Sequence, residues 1–261
     1  MIGFVLAAGF GTRFRPATLQ TPKPLLPFLG RPMVFHVLDR LVEAGVSGFV
    51  VNAHHLADLL EAGIGRSWRG LPVSFSREAE ILGTAGGIRR AAERGLLGTG
   101  RFLVANGDVY STLPLGPLVV QGERSGALSV LGVIPNGRPE VVTPLWADAE
   151  GRLVGVGGGR PDPSATGPWL FTGLQSASEE LPRLVPPGVS ELARDLLRPS
   201  AERRDGAFRL LPYAVPREGL WFDLGSPARL AEAEAVARDA ASAAARDAGD
   251  ASLRTPGPTS P

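Results

Sequence analysis

The N-terminal stretch reads Met1-Ile2-Gly3-Phe4-Val5-Leu6-Ala7-Ala8-Gly9-Phe10-Gly11-Thr12-Arg13, and continues through Phe14-Arg15-Pro16-Ala17-Thr18 to Pro22-Lys23-Pro24-Leu25-Leu26. Ile2 to Ala8 is a short, unbroken apolar run stopped by Gly9 and Gly11, the pattern of a strand buried on both faces. The loop that follows carries small residues at Ala7, Ala8, Gly9 and Gly11. Backbone N–H groups in such a loop can come close to a polyphosphate, because little side chain obstructs them. Arg13 adds an always-charged, planar donor fork for phosphate oxygens. Lys23 stands between two prolines, whose fixed φ stiffens the loop. A stiff loop holding one cation suits the positioning of a second anionic reactant. Two other phosphate motifs are rejected. No G-x-x-x-x-G-K-[ST] string is present, and G-x-G-x-x-G fails where Phe14 takes the last position.

Working outward, Pro32 to Ala44 places Val34, Val37, Leu38 and Leu41 at helical spacing, with Gly45 as a stop. Gly48 to Asn52 reads as a strand, Leu56 to Ile64 as a helix, and Pro72 to Ser76 as a strand. Thr84 to Arg94 reads as a helix and Arg101 to Asn106 as a strand. This alternation predicts an α/β fold with a doubly wound, mostly parallel, Rossmann-like sheet. Ligands on such sheets lie beyond the carboxyl ends of the strands. Further on, Ala127–Ile134, Glu140–Leu145, Arg152–Val156 and Trp169–Leu174 read as short strands of a β-rich portion. Val189 to Leu197 is expected to be helical, and Phe208–Tyr213 and Leu220–Phe222 to be strands. Pro227 to Arg246 is rich in Ala, Glu and Arg and predicts a helix. Residues 247–261 hold Gly, Ser, Thr and Pro and predict a disordered tail.

The chain has 261 residues, 44% of them apolar, enough for a substantial core, and a formal charge of +1. That charge provides no overall basic field for nucleic acid. Cysteine is absent, so disulfides, thiolate nucleophiles and cysteine-ligated zinc are excluded. No apolar run approaches the roughly 18 residues of a membrane span, and no signal peptide is read at Met1. A cytoplasmic enzyme that uses neither membrane nor nucleic acid is the expectation.

The N-terminal string resembles the signature of the sugar-1-phosphate nucleotidyltransferases, the NTP transferase family. The pattern L-A-A-G-x-G-T-R-[LM]-x-P-x-T, then P-K-P-L-[LV]-P-[VI]-x-G-x-P, is met from Leu6 through Gly11, Thr12, Arg13, Pro16 and Thr18. It continues at Lys23, Pro24, Leu25, Pro27, Gly30 and Pro32. Phe14 and Phe28 depart from it but remain apolar. Leu82-Gly83-Thr84-Ala85-Gly86-Gly87 is similar to the family's base- and sugar-facing segment. Asn106-Gly107-Asp108 is similar to its N-G-D metal site, and Trp221-Phe222-Asp223-Leu224-Gly225-Ser226-Pro227 to its W-x-D-x-G-x-P element.

The resemblance implies one nucleotidyltransferase domain over 1–246. Residues 1–125 form its nucleotide-binding half, 126–226 its sugar-binding half and 227–246 a closing helix. It implies that an NTP and a sugar 1-phosphate react with Mg²⁺ to give an NDP-sugar and pyrophosphate. Leu6, Ala7, Ala8, Gly9, Gly11, Thr12 and Arg13, with Gly83 and Thr84, would bind the nucleotide. Arg13 and Lys23 would be catalytic. Lys23, Asn106, Arg160 and Gly173 would face the sugar phosphate. Asp108 and Asp223 would hold the metal, in line with the preference of Mg²⁺ for one or two carboxylates plus phosphate oxygens.

Two departures bear on the sugar. Many relatives carry E-K-P where this chain has Gly159-Arg160-Pro161, and N-x-G where it has Phe171-Thr172-Gly173. The L-G-T-A string is similar to mannose-1-phosphate guanylyltransferases. The chain length, the Phe171-Thr172-Gly173 string and the Leu230-Ala231-Glu232-Ala233-Glu234 ending are similar to N-acetylmuramate-1-phosphate uridylyltransferases. The guanylyl reading stands first on these strings, with the uridylyl reading close behind. A sensing module that kept the fold and lost turnover is the rival class. His54-His55 are adjacent and do not share a helix face, so a helix-start or surface role is expected rather than a metal pair. Trp68, Trp146 and Trp169 are expected to pack, and Arg203-Arg204 to be solvated. The Ala-rich helix offers either a homodimer surface or cover for the sheet.

Overall fold

The computed structural model describes residues 1–161, 163–203, 209–215 and 219–252. In chain order the strands are β1 (Ile2–Leu6), β2 (Pro27–Phe28), β3 (Arg31–Pro32), β4 (Gly48–Ala53), β5 (Ser67–Trp68), β6 (Leu71–Arg77) and β7 (Phe102–Asn106). They continue as β8 (Val109–Ser111), β9 (Ser129–Pro135), β10 (Leu145–Ala147), β11 (Leu153–Val156), β12 (Thr166–Ala177), β13 (Leu210–Ala214) and β14 (Trp221–Asp223). The helices are α1 (Met33–Glu43), α2 (Ala57–Ile64), α3 (Gly83–Glu93), α4 (Gly116–Ser125), α5 (Arg198–Glu202) and α6 (Pro227–Ser252).

The main sheet runs β11-β10-β12-β7-β1-β4-β6-β5. Its centre is parallel: β1 pairs with both β4 and β7, and β4 with β6, all in the same direction. Side chains of these strands alternate between two cores, as a period of two requires. Val5, Phe49, Val51, Leu103 and Ala105 face one core, shared with Val34, Val37, Leu38 and Leu41 of α1 and Leu60 of α2. Phe4, Val50, Phe102 and Val104 face the other, shared with Ala85, Ile88 and Ala91 of α3 and with Leu192, Leu196 and Leu197. Apolar side chains on both faces explain why the sequence runs were continuous rather than alternating. The expected α/β, mostly parallel sheet is what the chain forms.

Antiparallel strands extend the sheet. The long β12 pairs with β7 through residues 174–177 and with β9 on its other edge. The β9 register slips between Phe171 and Gln175, and Gly173 sits in this bulge at φ +77°. β13 returns to lie parallel to β9. A small separate ladder pairs β14 with β8, placing Asp223 opposite Val109.

Three expectations are corrected. Glu140–Leu145 is not a strand. Val141 and Val142 N–H both donate to the Arg138 carbonyl in a turn, at 3.0 and 2.9 Å, and pairing starts only at Leu145. Pro139 and Pro144 have no N–H to give a ladder there. The Val189–Leu197 segment becomes helical only at Leu192, first as a widened π-type turn to Leu197 and then as α5. The last helix passes the expected stop at Arg246 and runs to Ser252, as its alanines permit. The rest of the expected disordered tail, 253–261, lies outside the described residues. So does Arg204 of the Arg203-Arg204 pair, and part of the predicted Phe208–Tyr213 strand.

The histidines and tryptophans act as expected. His54 Nδ1 lies 3.0 Å from the Glu78 carbonyl oxygen and His55 Nε2 lies 2.8 Å from that of Thr18. Trp68 packs on Phe35 at 4.3 Å between ring centroids and donates to Asp39 at 2.9 Å. Trp146 is buried.

Candidate active site

Two cavities open beside the carboxyl ends of the parallel strands and meet at Asn106 and Asp108, which line both. The smaller has a volume of about 310 Å³ and the larger about 530 Å³.

The smaller cavity is walled by the loop after β1 and by the start of α3. Leu6, Ala7, Ala8 and Gly9 line it on one side, and Gly83 and Thr84 on the other. A Cβ at Gly9 would meet nothing within 4 Å, so the backbone there is open to a ligand. Gly11 lies deeper in the turn at φ +61°. A Cβ on it would stand 2.9 Å from both Lys23 and Thr18 side-chain carbons. Gly11 thus lets Lys23 fold back under the loop, while Gly11 and Thr12 themselves line neither cavity. Thr18 Oγ1 donates to the Gly11 carbonyl at 2.9 Å and locks the turn.

Asp108 is placed by two backbone bonds. Gly107 N–H donates to the Leu6 carbonyl at 2.8 Å, and Leu224 N–H donates to the Asp108 carbonyl at 2.9 Å. A Cβ at position 107 would approach the Leu6 oxygen to 2.9 Å, so the N-G-D turn needs its glycine. The β8–β14 ladder brings Asp223 beside this turn, and both aspartates line the larger cavity. Each carboxylate already has a cation. Lys23, 8% exposed, is paired with Asp108, and Arg229 with Asp223. A Cβ on Gly225 would lie 2.7 Å from Asp223 Oδ1 and 3.0 Å from both terminal nitrogens of Arg13. Arg13 and Asp223 therefore approach each other across a bare glycine.

Among the described residues no three His, Asp or Glu side chains form a metal cage. Two carboxylates lining the larger cavity, one of them also lining the smaller, nonetheless suit a hard divalent cation that takes its remaining oxygens from phosphate and water.

Asn106 and Gly173 both line the larger cavity. A Cβ on Gly173 would lie 2.6 Å from Asn106 Nδ2, so the bulge glycine makes room for that amide. Arg160 is placed elsewhere: it lines neither cavity, and its Nε donates to the Ala165 carbonyl at 2.8 Å. The larger cavity draws cations from Arg13, Arg138 and Arg229 instead. Arg138 sits in a turn built on buried Asn136, which donates to the Val142 carbonyl at 3.0 Å and accepts from Arg138 N–H at 3.0 Å.

Sequence reading missed Arg138, Arg229, Asn52, Glu78 and Glu191. Arg229 lies two residues beyond the W-x-D-x-G-x-P string and was within reach of it. Glu191 accepts from the Thr84 hydroxyl at 3.0 Å at the rim of the smaller cavity. Burial raises the Glu78 carboxyl above its ordinary value, against the pull of the Leu82 N–H and Asn52 amide donors.

Comparison with known proteins bears on this geometry. A family model described as nucleotidyl transferase matches residues 2–141. An N-acetylmuramate alpha-1-phosphate uridylyltransferase of Caulobacter vibrioides is 35% identical over 256 residues, covering 92% of this chain and 98% of its own. A mannose-1-phosphate guanyltransferase beta-B of Xenopus laevis is 29% identical over 234 residues, covering 87% of this chain but only 62% of its own. Among solved structures, a UDP-glucose pyrophosphorylase complexed with UDP-glucose superposes with a TM-score of 0.72 at 18% identity, covering 91% of this chain and 98% of that one. HddC from Yersinia pseudotuberculosis, complexed with GMP-PN, gives 0.71 at 20% identity, covering 89% and 97%. At these identities the two structures bear on the fold alone.

Proposed function

The chain belongs to the nucleotidyl transferase family, and from that premise we propose that it joins an NTP to a sugar 1-phosphate with release of pyrophosphate. The observation that carries this reading is the meeting of two cavities at one aspartate-lined junction. The smaller would take the nucleotide and the larger the sugar phosphate. Open backbone at Gly9 suits the triphosphate. Lys23, held under the loop beside Asp108, faces the point where the two anions must approach. Arg13 lines the larger cavity next to Asp223, and from there it would reach the phosphates that meet at the junction. The sugar-phosphate oxygen displaces pyrophosphate at the α-phosphorus in line, so no side-chain nucleophile is needed. Catalysis then rests on positioning and on fixed positive charge. Mg²⁺, held by Asp108 and Asp223, would neutralise the phosphates and polarise the reacting one.

For the substrate pair we favour a uridylyl transfer to an N-acetylmuramate-type sugar 1-phosphate. Two observations support it. The Caulobacter relative corresponds over almost its full length, and Arg138 supplies a cation to the larger cavity that a sugar carboxylate can use. The guanylyl reading, first on sequence strings alone, is supported by the similarity to the Xenopus relative and stands second. No described helix is long and apolar enough to cross a membrane. Free NTP as substrate points to the cytoplasm as the site of action.

The test is a matrix of GTP, UTP, dTTP, CTP and ATP against several sugar 1-phosphates, read as pyrophosphate. UTP with N-acetylmuramate 1-phosphate is expected to be the fastest pair. Turnover confined to GTP with mannose 1-phosphate would reverse the order of the two readings. No turnover with any pair would favour the sensing module.

A further inference from the structure

Asn52 and Glu78 form a buried polar bridge across the floor of the smaller cavity. Asn52, at the end of β4, is 2% exposed, and Glu78, just after β6, is 6% exposed. Asn52 Oδ1 accepts from the Ala7 N–H at 2.5 Å, in the loop after β1. Asn52 Nδ2 donates to Glu78 Oε1 at 2.7 Å. Glu78 Oε2 accepts from the Leu82 N–H at 3.1 Å, immediately before α3. The bridge thus runs without a break from one wall to the other. Helix α3 is cut away to admit it: a Cβ on Gly87 would lie 2.8 Å from both Asn52 Nδ2 and Glu78 Oε1. Burying a carboxylate is costly, and apolar side chains would fill this volume with less penalty. Neither residue is among the groups assigned to the reaction.

We propose that Asn52 and Glu78 are positioning residues for the nucleoside triphosphate, fixing the distance between the backbone of residues 7–9 and the 82–84 segment that faces it. The proposal rests on the reading of this cavity as the nucleotide site. The bridge is strongest with an ionised Glu78, because both of its partners are N–H donors. A proton on the carboxyl removes the charge that strengthens both bonds. Burial raises the Glu78 carboxyl, so this loss should begin above the ordinary carboxylate range. Other charges face the same space. His54 lies ahead of α2. Lys23, Asp108 and Glu191 ring the nucleotide side, and Glu80, Arg89, Arg90 and Glu93 ring the opposite side of Glu78. The test must therefore isolate Glu78 from these groups.

Substituting Asn52→Asp does so, because it inverts the proton requirement. The introduced carboxylate can still accept from Ala7 N–H, but it then faces the carboxylate of Glu78. The two can bond only when they share a proton. The experiment measures Kd for UTP and GTP by calorimetry, and KM for both substrates, over a pH series. It uses the full-length wild type, Asn52→Asp and Glu78→Gln, with thermal melts to confirm folding.

In the wild type, nucleotide affinity should fall as pH drops. In Asn52→Asp it should be about tenfold weaker near neutrality, roughly 1.4 kcal/mol, and should recover as pH drops. Glu78→Gln should be weakened and should lose the acid response. KM for the sugar 1-phosphate should stay within about twofold in both variants. A parallel pH response in wild type and Asn52→Asp would overturn the bridge, and so would equal loss for both substrates. If Asn52→Asp does not fold, a full acid response retained in Glu78→Gln overturns it alone. Failure of wild type to bind any nucleotide would instead overturn the reading of the cavity itself, and the bridge's assigned role with it.

Discussion

Lys23 and Arg13 stand beside carboxylates that the proposed reaction needs for another purpose. Lys23 is paired with Asp108, and Arg13 lies close to Asp223 across Gly225. Both cations are thereby aimed before any substrate arrives, which is the preorganisation that electrostatic catalysis requires. Lys23→Ala and Arg13→Ala should each lower kcat by about a hundredfold or more, with melting curves showing a folded protein. Wild-type rates would refute those roles. Arg138 tests the sugar side. Arg138→Ala should raise KM for a carboxylated sugar 1-phosphate by about tenfold, the worth of one charge-assisted hydrogen bond. It should leave the KM of a neutral sugar 1-phosphate unchanged, as parallel kinetics on the two would show. At this scale the sequence was legible where a residue sits in a contiguous string. Lys23, Asp108 and Asp223 were singled out through the family resemblance of the strings that hold them. Asn52 and Glu78 did not, because they meet Ala7 and each other across strand crossings that no local pattern encodes. Arg160 was chosen for its place in a string, yet the turn it occupies folds back onto Ala165.

The elements that carry the site are those with the plainest patterns. β1 and β7 were legible because both faces are buried and nearly every position is apolar. The register between them sets Leu6 beside Asn106 and so fixes the loop against the N-G-D turn. α1 was legible from its stripe, which packs beneath this pair. Leu38 is fully buried there. Leu38→Ala should cost about 2–5 kcal/mol of stability, read as a drop in denaturant midpoint. KM values should change little below the unfolding transition, since the cavity created is on the far side of the sheet from α3. The β-rich half was less legible. Prolines at 139 and 144 and the bulge at Gly173 break the period of two that strand prediction depends on. Those same irregularities shape the larger cavity, where Arg138 and Gly173 both come from breaks in pairing.

At the scale of the whole molecule, the bridge under the smaller cavity has a cost in stability. The folded-state carboxyl of Glu78 is raised above its unfolded value, so folding favours its protonated form. Its contribution is fully present below the unfolded value and is lost as pH rises through the folded one. Glu78→Gln removes that loss. Above the window the variant should be more stable than wild type, relative to their difference in acid, while binding nucleotide less well. Denaturant titrations at a series of pH values check this, and an unchanged stability difference across pH would contradict it. The central claim is that Asp108, at the junction of two cavities, and Asp223, beside it in the larger one, support nucleotidyl transfer. Pyrophosphate release in the presence of Mg²⁺, compared between the wild type and the Asp108→Asn, Asp223→Asn double variant, tests it most directly. The account predicts pyrophosphate and NDP-sugar in equal amounts from the wild type, and neither from a double variant that remains folded. Equal release by both proteins would contradict it.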